Sequence, residues 1–268
     1  MRRHLADRML RAAIRRAGAP GSLRFTERQL FYEMCRGLLP AHRLPRRPGF
    51  TTPTALPYRT FRSALERHGP IDGLLATPAP APSVLGRHTP EPDLFDYGLP
   101  RMLVCQTHAV AVMLRANGIP MESACPVLSV DELPADPRLA RMLYQAGTAT
   151  VYVLHDAGPA GLAAPRDLRR LTEVPPTAKV VPIGLRPAQA WPLHLAHVPG
   201  PATPSEAALS GKEQAWLRRG RTVEVEAVPP AVLLRSVHRL VRGVARADTG
   251  LVNVQRARRA GFLTWPTG

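Results

Sequence analysis

The sequence predicts an α/β protein with an N-terminal helical domain of the helix-turn-helix kind and a mostly parallel sheet after it. Three observations carry this. Three amphipathic helical segments and a short apolar run fall within residues 1–76. From 101 to about 186, apolar strand-like runs alternate with helical ones. A Pro-rich stretch over 77–100, which reads as an extended linker, separates the two regions. The expected units are therefore 1–76, a linker over 77–100, and an α/β domain with a C-terminal helix over 101–268.

The first helix is expected over 3–17, with Leu5, Met9 and Ala13 on one face and Leu10 and Ile14 offset from it. Gly18 and Gly21 around Pro20 end it. Thr26 and Gln29 then fit a capping box, and a second helix runs to about Leu38 with Leu30, Phe31, Met34, Cys35 and Leu38 as its apolar stripe. A loop rich in Pro and Arg spans Pro40 to Pro53, and a third helix is expected near Thr54–His68. In that helix Tyr58, Phe61 and Leu65 face the core, while Arg59, Arg62 and Arg67 face outward. Ile71 to Leu75 reads as a short strand, which completes the pattern of a winged-helix domain with the third helix as its DNA-reading element.

The second region alternates cleanly. Strands are expected over Met102–Cys105, Cys125–Val130, Ala149–His155 and Lys179–Leu185, with helices over Ala109–Asn117, Pro137–Ala146 and Leu162–Thr172 between them. Such units build a mostly parallel, Rossmann-like sheet covered on both faces, whose ligand chemistry sits at the carboxyl ends of the strands. Those ends carry Gln106, Asp131 with Glu132, and Asp156. Beyond residue 187 a short helix is expected near Ser210–Arg219, and Val223–Val228 alternates as a strand does. From Pro230, Leu233, Leu234, Val237, Leu240, Val241 and Val244 fall at helical spacing, opposite Arg235, Arg239, Arg242 and Arg246.

The formal net charge is +16, from 36 Lys and Arg against 20 Asp and Glu, which favours a polyanionic partner such as nucleic acid. Only Lys179 and Lys212 are lysines, so an arginine-biased composition is the competing source of that charge. Cys35, Cys105 and Cys125 lack metal-type spacing and read as buried thiols. No apolar run is long enough to span a membrane, and the N-terminus lacks the apolar core of a signal peptide. The expectation is a cytoplasmic, nucleoid-associated protein.

Two short stretches concentrate the chemistry. Arg28-Gln29-Leu30-Phe31-Tyr32 places an Arg one helical turn before a Tyr, on the same face. Val151-Tyr-Val-Leu-His155-Asp156 is an apolar strand ending in an acid, followed by Gly158-Pro159-Ala160-Gly161. In this order the pair resembles the A subunit of topoisomerase VI and the related meiotic double-strand-break transesterases.

That resemblance implies a winged helix carrying Tyr32 as nucleophile, with Arg28 beside it, and then a Toprim-like domain. It further implies Mg²⁺ bound at the strand ends, a homodimer on duplex DNA, a 5′-phosphotyrosyl link, and a separate ATPase partner subunit. Asp156 matches the first Asp of the family's Asp-x-Asp, and Gly161 matches its following Gly. Two positions depart from the pattern: Gly158 replaces the second Asp, and Gln106 stands where the first strand is followed by Glu. Formal ligand charge falls from about −3 to about −1, a large loss for a hard cation. The expectation is an eroded Mg²⁺ site of Asp156 and Gln106, with DNA cleavage weak or lost. Arg59, Arg62 and Arg67, with Arg46 and Arg47 in the preceding loop, are the expected DNA contacts.

Other readings stay open. Asp156 and the nearby His155 and His108 suit an α/β enzyme acting on a nucleotide or phosphate ester. A metal-independent winged-helix regulator needs no chemistry at all. His194 and His197 stand at i and i+3 but lack a third metal ligand, and Cys105 reads as an inert thiol.

Overall fold

A computed structural model describes residues 2–76, 98–205 and 207–243. Most of the expected linker (77–97) and the C-terminal positions Val244 and Arg246 lie outside the described residues.

Helix α1 (Arg2–Ala17) buries Leu10, Ala13 and Ala17 completely. Leu5, expected on that face, is 51% exposed, because it sits about 140° around the helix from Leu10. Helix α2 (Glu27–Leu38) starts at the expected capping box: Gln29 N–H donates to Thr26 Oγ1 at 3.1 Å, and Thr26 N–H donates to Gln29 Oε1 at 2.9 Å. Every residue from Gln29 to Cys35 is buried, since α2 is covered on all sides and not along one stripe. Strand β1 (Thr52–Pro53) lies in the Pro-rich loop. Helix α3 (Tyr58–His68) begins four residues later than expected, because Pro57 lacks an N–H and disfavours helical backbone before it. No strand forms over Ile71–Leu75; Leu74 makes a single parallel bridge with Phe25.

Strands β2 (Arg101–Cys105), β3 (Val127–Ser129), β4 (Thr150–Leu154) and β5 (Lys179–Pro182) form one all-parallel sheet in the order β3-β2-β4-β5. Helices α4 (His108–Ala116), α5 (Ile119–Ser123), α6 (Pro137–Gln145) and α7 (Pro159–Leu171) connect them. α7 starts three residues before the expected Leu162, with Pro159 at its first position, where a missing N–H costs nothing. The pleat sorts the strands by face. Leu103, Cys105, Tyr152 and Leu154 join the core that also holds Leu10, Phe31 and Phe61 of the N-terminal helices. Met102, Val104, Val151 and Val153 join a second core closed by Leu139 and Leu143 of α6 and Leu168 of α7.

After β5 come α8 (Pro187–Ala190), β6 (Ala196–Pro199), α9 (Gly211–Arg218), β7 (Arg221–Thr222) and α10 (Pro230–Gly243). β6 pairs in parallel with β1 and antiparallel with β7, so the Pro-rich loop is stitched to the C-terminal region. The expected strand over Val223–Val228 is not one. Val223 bridges Ala157, and Val225–Ala227 is a turn of 3₁₀ helix. Alternation there comes from side chains facing two different neighbours and not from a sheet.

Among the described residues no helix is long and apolar enough to cross a membrane.

Candidate functional site

The parallel sheet runs outward from β2 to β3 on one side and to β4 on the other. That reversal opens a crevice between the carboxyl ends of β2 and β4, the usual ligand position of such sheets. Gln106 and Asp156 flank it, and they touch: Asp156 N–H donates to Gln106 Oε1 at 2.9 Å. The approach depends on Gly161, where a Cβ would lie 2.3 Å from the Asp156 carbonyl oxygen and 2.7 Å from Gln106 Oε1.

Residues 223–227 cross this crevice and bring two acids that sequence reading did not assign. Val223 exchanges backbone bonds of 2.8 and 3.1 Å with Ala157, and Val225 N–H donates to Asp156 Oδ1 at 2.7 Å. Glu224 and Glu226 then point toward α2. Glu224 accepts the Tyr32 hydroxyl at Oε2, 2.9 Å away. It also holds Arg28 in a fork, with Nε to Oε2 at 2.9 Å and the terminal nitrogen on Oε1. Glu226 accepts the Thr26 hydroxyl, and Arg36 donates to the Ala227 carbonyl oxygen, so the segment is pinned along α2. A signal for these acids was present: two glutamates sit within an apolar run of a chain whose bases outnumber its acids 36 to 20.

Asp156, Glu224 and Glu226 share one neighbourhood, with Arg28 as the cation beside them. Burial first, then the Glu224 charge, pushes the Asp156 carboxyl up to about 7, against the Val225 N–H. Glu226 also rises to about 7, through burial and then repulsion by Glu224 and Asp156, against the Thr26 hydrogen bond. Burial pushes the Tyr32 hydroxyl strongly up and the Glu224 charge adds to it, while Arg28 opposes both. Burial works against the Arg28 charge, but the Glu224 carboxylate outweighs it and the guanidinium pKa rises. The guanidinium also stacks 4.9 Å from the Tyr58 ring centre. Tyr32 is 2% exposed, so in this arrangement its hydroxyl faces Glu224 and not solvent.

The other expected residues fall as follows. Gln106 Oε1 accepts the Asp156 backbone N–H. Glu132 closes a capping box on Ser129 and pairs with Arg115, so it serves its own turn. His194 turns its ring nitrogens to the Pro45 and Phe50 carbonyls and shares no helix with His197. Cys105 is fully buried, which pushes its thiol strongly up and leaves it inert. Among the described residues no group of three or more His, Cys, Asp and Glu side chains converges as metal ligands. Of the expected DNA contacts, Arg46, Arg47 and Arg59 are exposed. Arg62 donates to Glu27 at 3.2 Å, and Arg67 donates to Asp7 at 2.8 Å.

Comparison with protein-family models, curated proteins and solved structures gives no match.

Proposed function

We propose that this protein binds duplex DNA and is related in kind to the DNA-cleaving A subunit of type IIB topoisomerases, with Tyr32 at the nucleophile position in a closed state. The reading combines an N-terminal three-helix part, which lacks the strand expected over Ile71–Leu75, with a Toprim-like sheet. One observation supports it above the rest: Tyr32, Glu224 and Arg28 form a chain of contacts beside Asp156 at the sheet's crevice. A hydroxyl, a carboxylate to receive its proton and a cation on the carboxylate are the parts of a nucleophile and its base, held here at rest because burial and Glu224 raise the hydroxyl pKa. The Arg is also the group that would meet a phosphate.

In the proposed reaction the Tyr32 oxygen attacks phosphorus, its proton passes to Glu224, and the 3′ oxygen leaves and takes a proton from water. A 5′-phosphotyrosyl link results. In the closed arrangement a phosphate must first displace Glu224 from Arg28, which supports weak cleavage or none.

Glu224 and Glu226 bring carboxyls beside Asp156 where Gly158 and Gln106 have none, but burial raises Asp156 and Glu226 to about 7 and Arg28 neutralises Glu224, so the charge of a full acidic site is not restored. One or two carboxylates with phosphate can hold Mg²⁺, but no larger ligand group converges among the described residues, so the proposed site is a weak one. Asp156 and Glu224 are the residues that would hold it, and the ion would supply charge neutralisation at the phosphate. A homodimer, a separate ATPase subunit and a nucleoid location belong to the same proposal.

The test is incubation with supercoiled plasmid and Mg²⁺ or Mn²⁺, followed by denaturation. A covalent adduct that vanishes in Tyr32→Phe supports cleavage. Salt-sensitive binding without adduct supports the binding role alone. Absence of DNA binding at low salt overturns the proposal.

A further inference from the structure

Charge on α1 is sorted by direction. Asp7 receives the Arg67 guanidinium of α3 at 2.8 Å. Arg16 donates to the Glu33 carboxylate and carbonyl oxygen of α2, at 3.4 and 2.9 Å. These contacts hold both ends of the helix against the body of the protein. Between them Arg8, Arg11 and Arg15 are exposed, and none makes a hydrogen bond or ion pair among the described residues.

Spacings of three and four residues place these three on one stripe, within about 60° of arc and about 10 Å along the axis. Like charges on adjacent turns repel, and the one nearby acid of α1, Asp7, four residues before Arg11, is engaged by Arg67 of α3. Two of the three outward arginines of α3 are in a different position. Arg62 and Arg67 are already drawn to Glu27 and Asp7, so a phosphate there competes with internal carboxylates.

We infer that the exposed face of α1 is the track on which a duplex phosphate backbone lies, through Arg8, Arg11 and Arg15. The inference rests on the proposed DNA binding and moves its main electrostatic contact from α3 to α1. Arginines spread along the outside of a helix meet phosphates and not base edges, so the contact is independent of sequence and sensitive to salt.

The experiment measures affinity for a random-sequence duplex at several salt concentrations. Three phosphate contacts contribute about 2.7 to the slope of log K against log salt. Arg8/Arg11/Arg15→Gln is expected to reduce the slope by that amount, and Arg11→Gln alone by about 0.9. Arg8/Arg11/Arg15→Lys keeps the slope near the wild-type value and guards against a misfolded Gln variant. Arg141/Arg218/Arg219→Gln, three exposed arginines elsewhere with the same loss of charge, is expected to change it by less than about 1.

An equal loss in that control overturns the inference, since net charge alone would then explain binding. So does wild-type affinity in the α1 variant alongside loss in Arg59/Arg62/Arg67→Gln. A wild-type protein that fails to bind the duplex at low salt overturns the DNA-binding proposal itself, and the α1 track with it.

Discussion

Glu224 Oε2 accepts the Tyr32 hydroxyl at 2.9 Å, although 192 positions separate the two residues. The same carboxylate holds Arg28, so one acid sets the positions of both candidate reactive groups. Tyr32→Phe removes one hydrogen bond and should cost about 1 kcal/mol. Arg28→Ala leaves Glu224 beside Asp156 and Glu226 without its cation and should cost about 2 kcal/mol. A double-mutant cycle of Tyr32→Phe with Glu224→Ala in urea should give a coupling of at least about 0.5 kcal/mol. Strict additivity would show that the contact is not made in solution.

The carboxyls of Asp156 and Glu226 both rise from ordinary acid values to about 7 on folding. The folded state therefore binds more protons than the unfolded one between about pH 4 and 7. Their contribution favours folding below about pH 4 and is lost as pH rises through 7. Asp156→Asn should keep the Val225 contact and raise stability at pH 8, on the order of 1–3 kcal/mol, with the pH slope flattened. Thermal melts at pH 5 and pH 8 decide this; a larger gain at pH 5 than at pH 8 contradicts it.

If Mg²⁺ or Mn²⁺ binds at the crevice, it relieves the same repulsion. Adding either at pH 8 should then raise the melting temperature, and the rise should shrink in Asp156→Asn. A rise of equal size in that variant places the ion elsewhere.

Gly161→Ala should be severely destabilising, by about 3 kcal/mol or more, because the new Cβ meets the backbone of Asp156 at 2.3 Å. Gly211→Ala, with open space around the added carbon, is the matched control and should be near neutral. Chemical denaturation of the two variants compares them directly.

The N-terminal helices and one face of the sheet share a core that includes Leu30, Phe31, Leu103 and Tyr152. Unfolding should therefore be a single transition, seen alike by far-ultraviolet dichroism and tryptophan fluorescence. Leu30→Ala should lower it by about 2–5 kcal/mol without splitting it. Two separate transitions would mean that the shared core does not couple the regions.

Much of the architecture was legible in the chain. The Thr26–Gln29 capping box, the four strand runs and the glycine and proline breaks act over a few residues, so local spacing alone identifies them. Tyr32, Arg28 and Asp156 were singled out by the same local reading. The boundary at Tyr58 was readable too, but only by giving Pro57 its full weight.

Local patterns could not say what fills the crevice. Val223–Val228 has the two-residue alternation of a strand, yet it lies as a bridge and a 3₁₀ turn between α2 and the sheet. Its glutamates reach Tyr32, Arg28 and Thr26, contacts that span about 200 residues. Alternation reports which side chains are solvent-averse; it carries no information about the distant surface that receives them. Pairing of Glu224 with Arg28, and the raised carboxyls of Asp156 and Glu226, exist only once folding removes water from between those groups.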